Sequence, residues 1–150
     1  MTALTDPDLF RQQALIDGNW IDAASGKTVD VVDPASGRTI GTIPDLGRDE
    51  TRRAIEAAEK AFASFRRTSH AARAAMLEKW YGLILDHQED LARIMTLEQG
   101  KPLAEARGEI VYTASFVKWY AEEARRIGGC RVAFKGEMTS STKSMGVLCH

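Results

Sequence analysis

The chain has 150 residues, 44% hydrophobic and 27% charged, and its 20 basic and 21 acidic side chains leave a formal net charge of -1. This length and apolar content suit one globular domain and argue against a disordered chain. The near-neutral charge argues against a nucleic-acid binder and a polybasic membrane anchor, and no apolar run approaches the roughly 20 residues that a membrane helix needs.

Two short β-hairpins are predicted in the first third of the chain. Residues 15–21 have apolar ends around Asp-Gly-Asn, a pattern typical of a tight hairpin. A second pair of β-rich stretches, 28–32 and 38–43, lies on either side of the run Asp-Pro-Ala-Ser-Gly. In that run Pro34 fixes φ and Gly37 can adopt a positive φ, which predicts a turn between two strands.

From Asp49 to Arg126 the apolar period changes from 2 to 3.6, which predicts four helices. Each helix carries an apolar stripe; the four stripes are Ile55, Ala58, Phe62 and Phe65; Leu77, Trp80, Tyr81 and Ile84; Leu91, Ile94 and Met95; and Leu103, Ala106, Ile110, Ala114, Val117, Ala121 and Ala124. The Thr-Ser pair at 68–69 supplies a hydroxyl N-cap. Gly100 can end the third helix in the left-handed conformation, and Pro102 can open the fourth at its first position.

Residues 128–150 differ from the helical region. A Gly-Gly pair ends the last helix, and the residues that follow alternate poorly. The two cysteines, Cys130 and Cys149, are too few for a disulfide framework, and the acidic start of the chain does not fit a secretory signal. We therefore expect a reducing, cytoplasmic location.

Cys130 and Cys149 are the candidate nucleophiles. A reactive thiol needs a helix N-terminus, a nearby cation or a base to form the thiolate. Arg131 follows Cys130 and His150 follows Cys149, but side chains adjacent in sequence rarely face each other. We interpret both thiols as inert and assign no catalytic residue.

The remaining polar motifs do not predict a metal or nucleotide site. His70, His87 and His150 lack ligand spacing, and the first two fall near helix starts, which favours surface or capping roles. The run Gly-Lys-Thr at 26–28 imitates the end of a phosphate loop, but Ile21 stands where that loop needs a glycine. We interpret this run as a hairpin turn. No Gly-x-Gly-x-x-Gly run occurs, so no cofactor-binding residue is assigned.

Charged pairs and aromatic residues on the helices have simpler interpretations. The adjacent carboxylates at 89–90 and 122–123 are predicted to diverge around their helices on solvated faces. Trp80, Trp119 and Tyr120 lie on helical stripes and are interpreted as core or interface residues.

Several segments follow one another in the order of a known family. They are Leu-Ile-Asp-Gly-Asn-Trp at 15–20, Asp-Pro-Ala-Ser-Gly at 33–37, Ile-Gly-Thr-Ile-Pro at 40–44, Ala-Ile-Glu-Ala-Ala at 54–58, Met-Thr-Leu-Glu-Gln-Gly-Lys-Pro-Leu-Ala-Glu-Ala at 95–106 and Ser-Phe-Val-Lys-Trp at 115–119. Together they resemble the amino-terminal part of the aldehyde dehydrogenase superfamily, most closely the bacterial NAD(P)-dependent succinate-semialdehyde dehydrogenases. The resemblance runs from about Leu9 to Ile127.

The resemblance implies a reaction for the intact enzyme, with succinate semialdehyde as the small aldehyde substrate, oxidised to its acid while hydride passes to NAD or NADP. The family's Pro-Trp-Asn-Phe, Glu-Leu-Gly-Gly and Gly-Gln-x-Cys segments do not occur here. We therefore expect no activity from this chain alone, and expect neither NAD nor NADP to bind it well. Some relatives bind a monovalent cation near positions matching Val32 and Glu98, but a further ligand lies outside this chain, so no metal residue is assigned.

The resemblance also implies an α/β fold. Residues 1–127 correspond to the amino-terminal part of the family's domain, two hairpins followed by four helices, with the parallel cofactor sheet mostly missing. The resemblance fades over 128–150, which is consistent with a frameshifted or interrupted gene or with a genuine short protein. Apolar stripes without a sheet predict association of the chain with itself or with a full-length relative. The alternative function is a non-catalytic interaction module that docks on such a relative.

Overall fold

The computed structural model describes residues 4–126 of the chain. The predicted divergent tail at 128–150, with Cys130, Cys149 and His150, lies outside the described residues. The predicted boundary after Ile127 also lies outside them and stays a prediction. Within the described part, no helix is both long and apolar enough to cross a membrane.

Both predicted hairpins are present. Strand β1 (Ala14–Ile16) pairs antiparallel with β2 (Asn19–Ile21), and β3 (Thr28–Val32) pairs antiparallel with β4 (Thr39–Pro44). The turn between β1 and β2 places Asp17 at φ 50° and the following glycine at φ 74°, the left-handed pair that a two-residue hairpin turn of matching twist requires. The hairpin prediction is therefore confirmed together with its turn chemistry.

All four predicted helices are also present: α1 (Arg48–Phe65), α2 (His70–Asp86), α3 (Gln88–Gln99) and α4 (Leu103–Arg126). The Oγ of Ser69 accepts a hydrogen bond from the amide of Ala72 at 3.2 Å, which confirms the predicted N-cap. Pro102 is predicted to be the first residue of α4, but the helix begins at Leu103. The carbonyl of Pro102 accepts the first helical hydrogen bond, from the amide of Ala106, so it holds the N-cap position one residue earlier.

The core lies among α2, α3 and α4 and is built mostly from small residues. Its buried members are Ala74, Ile84, Ala92, Ala106, Ile110, Ala114, Val117 and Ala121. Alanines with no exposed surface let the helices approach closely, while no large side chain in residues 4–126 is fully buried. The predicted stripe of α4 is confirmed as its core-facing side, and the core behind it is thin.

The apolar stripe of helix α1 is exposed, which agrees with the expectation that the apolar stripes lack a sheet to cover them. Ile55 and Phe62 lie largely in solvent, and Phe65 is half-exposed with the guanidinium of Arg73 of α2 at 5.3 Å from its ring centroid. The helix has few contacts with other elements: it packs on strand β1, and Arg73 of α2 donates to the carbonyl of Phe65 at 3.3 Å. Glu50 in its first turn accepts a hydrogen bond from the amide of Ala24 at 3.0 Å. Hydrogen bonds from the amides of Ala24 and Gly47 hold the pKa of Glu50 below its usual range.

The predicted left-handed cap of α3 gives a testable consequence. Gly100 has φ 75°, and a Cβ added there would lie 3.0 Å from Cγ of Pro34. We expect Gly100→Ala to lower the free energy of unfolding by about 1–2 kcal/mol, because a side chain is strained in this conformation. In the matched variant Gly82→Ala, inside α2 and with open space around it, we expect a gain of about 0.5–1 kcal/mol. Urea unfolding followed by far-UV circular dichroism measures both; shifts of the same sign would contradict the cap.

Candidate functional site

The acidic pair at the start of α3 diverges as predicted, but only one member is solvated. Glu89 accepts hydrogen bonds from Arg107 of α4 at 2.7 and 2.9 Å and from Arg93 at 3.1 Å. The hydrogen bonds and positive charge of Arg107 hold the pKa of Glu89 below its usual range, and Glu89 in turn raises the pKa of Arg107. This partly exposed cluster joins α3 to α4 and has the character of a structural ion pair.

Asp90, the other member of the pair, is buried, so its predicted place on a solvated face is wrong. Its side chain accepts hydrogen bonds from the backbone amides of Thr5 at 3.0 Å and Asp6 at 2.8 Å. These two bonds hold the pKa of Asp90 below its usual range, so the carboxylate is ionised at neutral pH. A carboxylate can be buried when backbone donors replace water, which explains the position.

The histidine and Gly-Lys-Thr motifs lie apart from one another. His70 begins α2, and His87 lies between α2 and α3. Across residues 4–126 no three His, Cys, Asp or Glu side chains are grouped as a metal site would need. Lys27 belongs to a turn that joins the two hairpins, closed by a hydrogen bond from the amide of Gly26 to the carbonyl of Ala23. The prediction that this run is the turn of a hairpin is therefore wrong, because the run connects one hairpin to the next.

The positions that the resemblance links to a cation are brought to one region. Val32 ends β3 and Glu98 lies in the last turn of α3. Pro34 and Gly100, each two residues further along the chain, are close to van der Waals contact. Val32 and Glu98 are both exposed. A carbonyl and a carboxylate suit a hard cation, but two donors do not complete a coordination shell, so no metal is assigned to the described residues.

A groove of about 260 Å³ lies between α2 and α4. It is lined by Tyr81, Leu85, Val111, Ser115, Lys118, Trp119 and Glu122. Lys118 pairs with Glu122 at 3.4 Å and lies 5.9 Å from the ring centroid of Tyr81. A smaller groove of about 250 Å³ lies between β1 and α1, among Ile16, Asp17, Arg53, Glu56, Ala57 and Lys60.

Neither groove matches the needs of a dinucleotide. A pyrophosphate is typically held by backbone amides at a helix N-terminus. The larger groove is instead lined by residues beyond the first turns of α2 and α4, and the smaller one by the first hairpin and residues beyond the first turn of α1. We assign no contact with NAD or NADP to residues 4–126.

Helix α4 is apolar on two opposite sides, and this is its most informative feature. One side carries the buried stripe that packs on α2 and α3. On the other side Tyr112, Phe116 and Trp119 recur at spacings of four and three residues, with exposures of 65%, 48% and 60%. We call these three residues the outer face of α4. Tyr112 and Phe116 pack edge to face there, with ring centroids 4.9 Å apart.

The outer face has the character of a surface that another element covers. Grouped, exposed aromatic residues mark interaction surfaces, because their large apolar rings are costly to leave in water. The sequence interpretation placed Trp119 at a core or interface, which fits this surface, but it did not select Tyr112 or Phe116. Their spacing, opposite the stripe of small residues, is the signal that could have identified them.

Comparisons with known proteins agree on one family. The sequence profile described as "Aldehyde dehydrogenase family" matches residues 20–149. The chain is 56% identical over 126 residues to the NADP-dependent succinate-semialdehyde dehydrogenase GabD of Escherichia coli and 57% identical over 126 residues to a glutarate-semialdehyde dehydrogenase of Pseudomonas putida. In both cases the match covers 84% of this chain and 26% of the relative.

Solved structures agree with the sequence matches. An NADP-dependent enzyme of E. coli superposes with a TM-score of 0.82 at 55% identity, over 84% of this chain and 26% of that one. A succinate-semialdehyde dehydrogenase of Burkholderia pseudomallei superposes with a TM-score of 0.83 at 48% identity, over 89% of this chain and 28% of that one. The chain therefore spans about a quarter of the length of these relatives and matches their amino-terminal region.

Proposed function

The chain belongs to the aldehyde dehydrogenase family, and we propose that it supplies the amino-terminal scaffold of an NAD(P)-dependent semialdehyde dehydrogenase. Its role in that proposal is to pack against the remaining three quarters of the family's domain. The observation that carries the proposal is the outer face of α4, three exposed aromatic residues on a helix whose other side is already buried.

The proposed reaction is oxidation of an aldehyde to a carboxylic acid. Aldehyde, water and NAD(P)⁺ give the acid, NAD(P)H and a proton. The substrate class follows from the relatives, which are named for succinate semialdehyde, glutarate semialdehyde and 3-sulfolactaldehyde. These substrates share an aldehyde at one end and an anionic group elsewhere. We propose a short anionic aldehyde, with succinate semialdehyde as the first to test.

The described residues contribute packing to this reaction and no reacting group. The carboxylate oxygens of Glu89 and Asp90 already accept hydrogen bonds from groups within the fold, so neither is free to take a proton from a reacting molecule. Neither groove lies at a helix N-terminus, where backbone amides typically hold a pyrophosphate. In this proposal the nucleophile, the general base and the cofactor site lie outside residues 4–126.

Reconstitution tests the proposed function. The chain is co-expressed with a second polypeptide, the part of the E. coli relative that follows the matched region, and NADP⁺ reduction is followed at 340 nm with succinate semialdehyde. We expect turnover from the co-expressed pair and none above a blank from either polypeptide alone, because each lacks part of the enzyme.

Two outcomes would contradict the proposal. Turnover by the chain alone that Cys149→Ser abolishes would show that its own thiol is catalytic. A co-expressed pair that neither associates nor turns over would contradict the scaffold role. A stable but inactive complex of this chain with an intact full-length relative would instead favour the non-catalytic docking module.

A further inference from the structure

The segment that precedes the first hairpin contacts two parts of the fold that otherwise have little contact. Residues 5–13 run from α3 to β4 and include a short 3-10 turn at Pro7–Leu9. Strands β3 and β4 pair extensively with each other, but they have few contacts with the helices. The position of this hairpin relative to the helical layer therefore depends on a small number of ties.

One end of the segment is bound to Asp90 near the start of α3. The amides of Thr5 and Asp6 both donate to this carboxylate, at 3.0 and 2.8 Å, across 85 and 84 positions of sequence. Asp90 is only 3% exposed, and the two bonds are partly buried. Hydrogen bonds to a charged acceptor are among the stronger ones in proteins.

The other end of the segment covers the free edge of β4. The amide of Thr42 donates to Oε1 of Gln12 at 2.8 Å. The ring of Phe10 lies over Gly41, where an added Cβ would be 2.9 Å from Cε1 of the ring. An exposed strand edge presents unpaired amides that invite pairing with other chains, and Gln12 occupies one of them.

We propose that residues 5–13 form a strap that fastens the β3–β4 hairpin to the helical layer, anchored by Asp90 at one end and by Gln12 and Phe10 at the other. The strap makes the two ends interdependent. Breaking the bonds to Asp90 frees the segment that carries Gln12. The edge of β4 at Thr42, more than 35 residues along the chain from Asp6, then becomes exposed. If Asp90 held only Thr5 and Asp6 in place, loss of its hydrogen bonds would leave the edge of β4 unchanged.

Amide hydrogen exchange of the full-length chain, followed by NMR, tests the strap. Asp90→Asn keeps the shape of the side chain but replaces one acceptor by a donor and removes the charge. We expect the amides of Thr5, Asp6 and Thr42 to exchange about tenfold faster or more, while the amide of Ile110 in the core keeps its rate. Asp86→Asn, at an exposed aspartate at the end of α2, is the matched control and leaves all four rates unchanged.

The reciprocal variant keeps the test decisive if Asp90→Asn fails to fold. Gln12→Ala removes the acceptor for Thr42 and, because coupling is reciprocal, accelerates exchange at Thr5 and Asp6 as well. In the double variant we expect the exchange rates of these amides to be little faster than in either single variant. Faster exchange at Thr5 and Asp6 with an unchanged rate at Thr42 in Asp90→Asn would overturn the strap, as would a purely local effect of Gln12→Ala.

Discussion

Replacement of Ile110 by alanine is expected to lower the free energy of unfolding by about 2–5 kcal/mol. Ile110 is the largest side chain of α4 in the buried cluster and is 8% exposed. Most of its buried neighbours are alanines, which cannot move far enough to fill the space that the substitution leaves. The loss is comparable to the whole stability of a small domain, so we expect a large fraction of the variant to be unfolded at 25 °C.

Val111→Ala is the matched control for this prediction. The neighbouring residue is also β-branched and lies on the same helix, but it is 47% exposed. We expect its truncation to change stability by about 0.5 kcal/mol or less. Urea titration with far-UV circular dichroism compares the two variants, and similar losses for both would contradict the assignment of the core.

Substitution of Trp119 by serine is expected to weaken self-association of the isolated chain about 30-fold or more. The outer face of α4 has no cover within the described part of the chain, so copies of the chain can bury it against each other. A central aromatic residue typically contributes about 2 kcal/mol or more to an interface. Sedimentation velocity at a series of concentrations measures the change.

Trp20→Ser provides the comparison for the outer-face variant. Trp20 is also a half-exposed tryptophan, but it lies on strand β2, where the guanidinium of Arg11 is 5.1 Å from its ring centroid. We expect this variant to associate like the wild type. Equal weakening by both substitutions would mean that association reflects general apolar exposure and not the outer face.

Local signals in the sequence predict the elements of this fold well. The Asp-Gly-Asn turn, the cap at Ser69 and the left-handed glycine after α3 each act over a few residues, and all three occur as expected. The stripe of α4 is equally clear because alanines and β-branched residues alternate with polar ones at helical period. These features depend only on residues that are close together in the sequence, so the sequence alone is enough to predict them.

Longer-range features could not be predicted in the same way. Periodicity shows that α1 has an apolar side but not what covers it, and Phe62 and Phe65 remain exposed. In the sequence, nothing distinguishes Asp90 from a solvated aspartate. Its burial depends on the amides of Thr5 and Asp6, which only the fold brings to it. The spacing of the outer face of α4 is present in the sequence, but its exposure opposite a buried side is shown only by the fold.

Binding of a complementary polypeptide is the direct test of our proposal that the outer face of α4 packs against the remainder of an aldehyde dehydrogenase domain. The chain is mixed in equimolar amounts with the part of the E. coli relative that follows the matched region. The mixture is analysed by size-exclusion chromatography with light scattering. We expect a complex with one copy of each polypeptide per catalytic domain. The complex is expected to be lost in Trp119→Ser and retained in Trp20→Ser. Separate elution of the two wild-type polypeptides, or a complex that Trp119→Ser leaves intact, would contradict the proposal.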